Sequence, residues 1–312
     1  MSVARLDIVV CAHNDAAHLP RLLHSLRQQT AGLDTFRLLL IDNASTDATA
    51  RVFRQHSAGL HATYVHEPRK GLNYARNTGY GHATSDYVAH TDADAIVDRR
   101  WVAAIRRAID TRRPDLLGGP YYPYFVHPRP PWYRDAYNCV NLGAEPRPLR
   151  PGEFFSGINM IWRRATVERL GGFHAQLGLV GRQMARGDET DLMLRARSSN
   201  EPFETWYDPA IAVYHLTRPE AMRLSYWLRR SYAQGLRHYD IWPAHARPTG
   251  TTRAVRIART GLRLARELAA AAAPRSQREP AGRWQNHIYE RVLPQLYTLG
   301  RLVAAGRSAA TR

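Results

Sequence analysis

Two aspartates, Asp92 and Asp94, close the stretch "DYVAHTDAD", and Asp98 follows four residues later. In an extended segment, side chains two residues apart point to the same side. Like charges placed that way raise each other's pKa unless a cation neutralises them. Carboxylate oxygens suit Mg²⁺ or Mn²⁺, ions that usually complete their shells with water and phosphate oxygens. Arginine suits the same phosphates, and Lys70 is the only lysine among 44 basic residues. The expected occupant is therefore a divalent ion bound to a nucleotide diphosphate. An Asp-x-Asp also occurs in ordinary turns, so the elements around it have to decide.

Those elements alternate. "LDIVVCA" is a continuous apolar run, as in a strand buried on both faces. "AHLPRLLHSLRQQ" has helical spacing, with Leu19, Leu22, Leu23 and Leu26 on one stripe. "FRLLLIDNAS" is a second strand, and the helix after it is expected to be capped by Ser45 or Thr46. "HATYVHE", a helix after Gly71, "DYVAHTDAD" and the helix in "DRRWVAAIRRAID" complete a βαβαβαβα series. This predicts an α/β fold with a mostly parallel central sheet flanked by helices. Ligands of such sheets collect at the carboxyl ends of the strands. Asn14 and Asp15, Asp42 and Asn43, and Asp92 and Asp94 all fall there.

From Pro114 to Pro151 proline and aromatics dominate, which predicts a loop-rich insert without regular elements. Its segment Tyr121 to Tyr137 is expected on the acceptor side, because aromatic faces suit sugar rings and apolar carriers. "FFSGINMIWRRATVERLGGF" reads as strand, turn and helix, "GDETDLMLRARSS" as an acidic-started helix, and "FETWYDPAIAVYHL" as a strand pair reaching His215. From Met222 the chain turns helical and basic, with Arg253, Arg256, Arg259, Arg263 and Arg266 opposite an apolar stripe, and Pro294 predicts a kink or break. The domain expectation is 1–220 as the catalytic part, divided into 1–113 and 114–220, with 221–312 as a helical extension.

The chain of 312 residues has a formal charge of +17. Such a surplus favours anionic partners: nucleic acid, an anionic membrane surface or phosphorylated substrates. Cys11 and Cys139 make no disulfide framework, no Cys/His cluster has zinc spacing, and no run reaches the roughly 18–20 apolar residues of a transmembrane helix. The expected location is cytoplasmic, with contact at the inner face of the membrane as a further option.

The ordered set "VVCAHND", "LLIDNASTDAT", "GLNYARNTG", "VAHTDAD", "FFSGINMIWRR…LGGF", "GDETDLMLR" and "VYHLTR" resembles the family 2 glycosyltransferases of the GT-A fold, over about residues 5 to 235. The resemblance implies an inverting, metal-dependent transferase that moves a sugar from a nucleotide-diphosphate donor to a hydroxyl acceptor, with Mg²⁺ or Mn²⁺ as cofactor. It implies that Ala12, His13 and Asn14 line the nucleoside, Asp42 bonds the base, Arg76 approaches base or phosphates, and Asp92 binds the ribose or metal-linked waters. Asp94 would ligate the metal and His215 complete it. Gly157, Asn159 and Asp191 would lie on the acceptor side. The acidic motif Asp188-Glu189-Thr190-Asp191 would supply the base, Glu189 by position, with Asp188 as a second candidate. Two departures stand out. The first strand ends Cys11-Ala12-His13-Asn14-Asp15 where the family usually has Pro-x-Tyr-Asn-Glu, and the acidic pair is Asp-Glu instead of Glu-Asp.

Two rival classes are weighed against this reading. A nucleotidyltransferase would share the sheet edge and the carboxylates, but usually needs a glycine-rich phosphate loop that "CAHNDAAHLP" lacks. A nucleic-acid-binding protein would explain the charge and show strongly salt-dependent binding, yet it leaves the acidic edge unexplained. No specific nucleic acid is expected.

Overall fold

The computed structural model describes residues 6–175, 177, 187–273 and 282–306. The described chain groups into two compact units. One gathers the described residues of Met1–Tyr124, Asn138–Gly181 and Asp188–Leu216; the other gathers those of Phe125–Tyr137, Arg182–Gly187 and Thr217–Arg312.

In the first unit the apolar runs become strands and the amphipathic runs become helices. The order is β1 (Leu6–Ala12), α1 (Leu19–Arg27), β2 (Arg37–Asn43), α2 (Thr49–His56), β3 (Ala62–Glu67), α3 (Leu72–His82), β4 (Tyr87–Asp92), β5 (Ala95–Val97), α4 (Trp101–Arg112), β6 (Leu116–Gly118), β7 (Tyr121–Tyr124), β8 (Met160–Arg163), α5 (Arg164–Arg169), α6 (Asp188–Arg197), β9 (Thr205–Tyr207) and β10 (Val213–Leu216). Seven strands form the main sheet in the order β3-β2-β1-β4-β8-β6-β9. All its pairings are parallel except those of β8, which runs antiparallel to both β4 and β6. The smaller sheet is β5-β10-β7.

Strand β1 sits between β2 and β4, with Leu6, Ile8, Val9 and Val10 fully buried. Aliphatic side chains buried in this way contribute about 1.5–3 kcal/mol each, which fixes the strand and the polar residues at its end. Helix α3 lies close against β1, because a Cβ at Gly79 would come within 2.5 Å of Val9 Cγ1. That glycine lets Arg76, one turn earlier, lie near the sheet edge.

The structure departs from the expected elements in three places. Helix α2 starts at Thr49 with Ala48 at its N-cap, two or three residues later than the expected cap, because Asp47 Oδ1 accepts hydrogen bonds from the Thr49 amide and hydroxyl and holds the preceding turn out of the helix. The proline-rich insert contains β6 and β7, which find their partners far along the chain in β8, β9 and β10. The expected pair in "FETWYDPAIAVYHL" is divided, with β9 in the main sheet and β10 in the small one.

The second unit contains α7 (Leu224–Leu236), α8 (His238–Ile241), α9 (Gly250–Ala272), α10 (Arg283–His287) and α11 (Leu293–Ala304). Pro294 stands in the first turn of α11, after a π-helical turn at Ile288–Val292, so the helical course changes there. The rings of 125–137 are occupied in packing. Trp132 and Tyr133 are buried, Tyr137 stacks on Tyr289 at 3.6 Å, and the Tyr137 hydroxyl donates to Asn286 and Glu290. These three rings are engaged in packing within this unit, while Tyr121, Tyr122 and Tyr124 of the 121–137 segment are half-buried in β7.

Candidate active site

Strand register aligns the carboxyl edge of the main sheet. Ala12 of β1 is opposite Asp42 of β2, and Cys11 is opposite Asp92 of β4. Past β4 the chain turns through Asp94 into β5, and β5 pairs antiparallel with β10, putting His215 opposite Ala95. The Leu216 amide bonds the Asp94 carbonyl at 3.2 Å, and the Tyr124 hydroxyl donates to the same oxygen. Asp92, Asp94 and His215 each offer a ligand atom, all within 4.8 Å of one another. His215 Nε2 is 3.4 Å from Asp94 Oδ1 and 3.8 Å from Asp92 Oδ2. Its Nδ1 is buried without a hydrogen-bond partner. Asp98 belongs instead to a turn, accepting from the Arg100 amide.

A second cluster assembles around Arg76, whose side chain is only 4% exposed. Its Nη1 donates to Asp188 Oδ2, across 112 residues of sequence. The guanidinium also lies 5.2 Å from the centre of the Phe173 ring, a cation–π distance. Gly157 leaves the room for it: a Cβ there would fall 2.2 Å from Arg76 Nη2. Burial alone would push the Arg76 pKa down, but the charges of Asp188 and Glu189 more than offset it and raise it.

Glu189 follows Asp188 in the first turn of α6. Burial pushes its carboxyl well above the usual carboxylate range; the Asp188 charge and a hydrogen bond shared with Asp188 add to the rise, and Arg76 opposes it. The same burial drives the Cys11 thiol up to about 12 and holds His90 well below its usual range, so both stay neutral near pH 7. His90 Nε2 lies 3.2 Å from the Tyr80 hydroxyl, beneath Phe173. One buried cation thus serves Asp188 and Glu189, with the Asp92 charge also acting on it.

The remaining expected residues are distributed as follows. Ala12 is buried, so only its backbone is available to a ligand. His13 and Asn14 are exposed. His13 Nδ1 donates to the Asn43 carbonyl at 2.7 Å, and Asn14, with φ of 56°, accepts from the amides of Thr46 and Asp47. Asp42 accepts from the Ser45 amide and the Tyr64 hydroxyl, which shapes the β2 end. Asp191 bonds Arg195 and His174 at the start of α6. Asn159 lies outside the site: it is 1% exposed, its amide donates to the carbonyls of Pro120 and Ile211, and its oxygen accepts from Trp101. It ties the sheet interior together and offers no surface to an acceptor. Gly157 likewise acts by making space for Arg76. Phe173, His90, Tyr80 and Cys11 around Arg76 were not predicted, since no spacing signal joins residues this far apart.

Known proteins match this arrangement. The description "Glycosyl transferase family 2" fits residues 7–171, and the chain belongs to that family. Its fold is GT-A-like. It is 22% identical over 170 residues to Glycosyltransferase AglE of Haloferax volcanii, covering 54% of this chain and 55% of that protein. It is 26% identical over 238 residues to the Pre-mycofactocin glycosyltransferase of Mycobacterium tuberculosis, covering 74% of this chain and 46% of that one. The chain spans about half the length of these two curated relatives. Among solved structures, it resembles the mannosyltransferase PcManGT of Pyrobaculum calidifontis in complex with GDP-Man and Mn²⁺, with a TM-score of 0.50, 20% identity, and coverage of 96% of this chain and 73% of that one. Among the described residues no helix is long and apolar enough to cross a membrane.

Proposed function

We propose that the chain transfers a sugar from a nucleotide-diphosphate donor to a hydroxyl acceptor with inversion at the anomeric carbon. The carrying observation is the meeting of Asp92, Asp94 and His215 at the carboxyl edge of the sheet. Two carboxylates and an imidazole fit a divalent ion, and the nitrogen donor favours Mn²⁺ over Mg²⁺. When bound there, the ion supplies positive charge against the leaving diphosphate. In this reading Ala12 and Asp42, opposite each other in strand register, and His13 and Asn14 just beyond β1 line the nucleoside, and a resemblance to a GDP-Man complex supports a nucleotide-sugar donor.

Glu189 takes the proton from the acceptor hydroxyl as that oxygen bonds to the anomeric carbon. The bond from that carbon to the diphosphate oxygen breaks, and its electron pair leaves with the diphosphate. A single displacement inverts the centre. Asp188 is a positioning residue: Arg76 engages it, which leaves Glu189 as the carboxylate with a raised pKa. Such a base is matched to neutral or mildly alkaline pH. Residues 1–220 form the catalytic part in this reading, and 221–312 the extension. The acceptor is a glycan, a small molecule or a lipid-linked hydroxyl at an anionic membrane surface.

Calorimetric titration with UDP, GDP and dTDP, with and without Mn²⁺, tests this on wild type and on Asp94→Ala. The expected result is metal-dependent binding of one nucleotide, lost in the variant. Binding that ignores both the metal and Asp94 would remove the metal–diphosphate site from the account.

A further inference from the structure

We infer that one face of α9 docks onto an anionic membrane surface. The helix has 23 residues, a length of about 35 Å at 1.5 Å per residue. Thr260 is its one buried residue, and Arg253, Ile257, Leu264, Glu267 and Ala271 are half-buried on the same stripe, at spacings of three and four. The rest of the circumference is exposed, and it is divided lengthwise. Val255, Ala258, Leu262, Ala265, Ala269 and Ala272 fall on one strip at spacings of three and four, with Leu268 at its margin. Arg256, Arg259, Arg263 and Arg266 fall on the neighbouring strip.

Leu262 is 74% exposed, and Val255 and Leu268 are 41% and 46% exposed. Among the described residues these are three of the six exposed large apolar side chains. The single acid of the helix, Glu267, lies on the packed stripe and pairs with His287 at 3.0 Å. The exposed face therefore carries leucine, valine and alanine beside four arginines and no carboxylate. An apolar strip flanked by arginines is the pattern of a helix that lies in the headgroup region, with arginine stems over acyl chains and guanidiniums on lipid phosphates. Charge selects this occupant over a second copy of the chain, since an isologous pairing of two such faces would bring two arginine rows together.

The test is cosedimentation of the full chain with phosphatidylcholine vesicles containing about one-third phosphatidylglycerol, against pure phosphatidylcholine. Binding to the anionic vesicles alone is expected, and added salt weakens it. Leu262→Ser leaves the charge unchanged and is expected to weaken binding about tenfold. Arg259→Gln and Arg263→Gln are each expected to weaken it about fivefold. Both positions are exposed, and circular dichroism confirms that each variant is folded. Three results overturn the inference: no cosedimentation, equal binding by wild type and Leu262→Ser, or a dimer in light scattering that Leu262→Ser dissolves. Vesicle binding needs neither metal nor nucleotide, so its failure leaves the transfer reading intact.

Discussion

The two ends of the main sheet treat buried acids differently. At the amino end, Asp7 is fully buried, yet each oxygen has donors: Arg37 binds both, and the amides of Thr84 and Ser85 bond Oδ2 at 2.7 and 2.9 Å. One charge meets one charge, and the arrangement joins β1, β2 and the α3–β4 turn. At the carboxyl end the buried Arg76 faces Asp188 and Glu189 and also feels Asp92, while the His215 imidazole lies 3.4 Å from Asp94 and 3.8 Å from Asp92. Burial there, with the neighbouring Asp188 charge, raises the pKa of Glu189. The amino-end pair serves the fold, whereas the carboxyl-end carboxylates stand where, in the proposed reaction, a cation and a proton arrive.

Substitutions separate the two ends. The largest effect on turnover is expected from Glu189→Gln, a loss of about 10²–10⁴-fold in kcat, read as release of nucleotide diphosphate. The same variant should be more stable than wild type at alkaline pH. An acid whose folded-state pKa lies above its unfolded value retains a proton that the unfolded chain releases, so stability falls as pH rises from about 4.5 to about 8. Glutamine removes that loss, and thermal melts across that interval and beyond its upper end check it. If Glu189→Gln left turnover unchanged, the base would have to be sought elsewhere.

Arg76→Met removes the guanidinium that bonds the buried Asp188 carboxylate and should cost about 3–5 kcal/mol in urea unfolding. It should also raise the pKa of Glu189 and move the acid limb of kcat/KM to higher pH, because Arg76 is the group that lowers it. Asp7→Asn weakens the Arg37 pairing and should cost about 1–3 kcal/mol, while that limb stays where it was. A shifted limb in Asp7→Asn would erase the contrast between the two ends.

Gly157→Ala is the smallest change. Its methyl group would have to displace a guanidinium that Asp188 and Phe173 hold in place. An overpacking cost of about 1–3 kcal/mol is expected, with a partial version of the Arg76→Met pH shift. Stability equal to wild type with an unmoved limb would show that Arg76 has another place to go.

Much of this was legible in the chain. The first two strands are continuous apolar runs with helical stripes after them, so local pattern and final fold agree. Asp92 and Asp94 were legible because strand ends in such a sheet face one edge; His215 came from the family resemblance, and its strand lies in the smaller sheet. The partner of Arg76 was not, since 112 residues separate it from Asp188 and only packing brings α3 and α6 together. Asn159 and Gly157 were expected on the acceptor side, but what they touch is set by packing: carbonyls of Pro120 and Ile211 for one, a guanidinium for the other. Strands β6 and β7 escaped notice because they are three and four residues long and Pro123 interrupts the second.

The most direct measurement is a crystal structure of the chain with Mn²⁺ and the nucleoside diphosphate that binds best, with anomalous data at the manganese edge. The account predicts one strong peak among Asp92, Asp94 and His215, with diphosphate oxygens on its open side. A peak elsewhere, or a bound nucleotide with no metal beside those three residues, would contradict it.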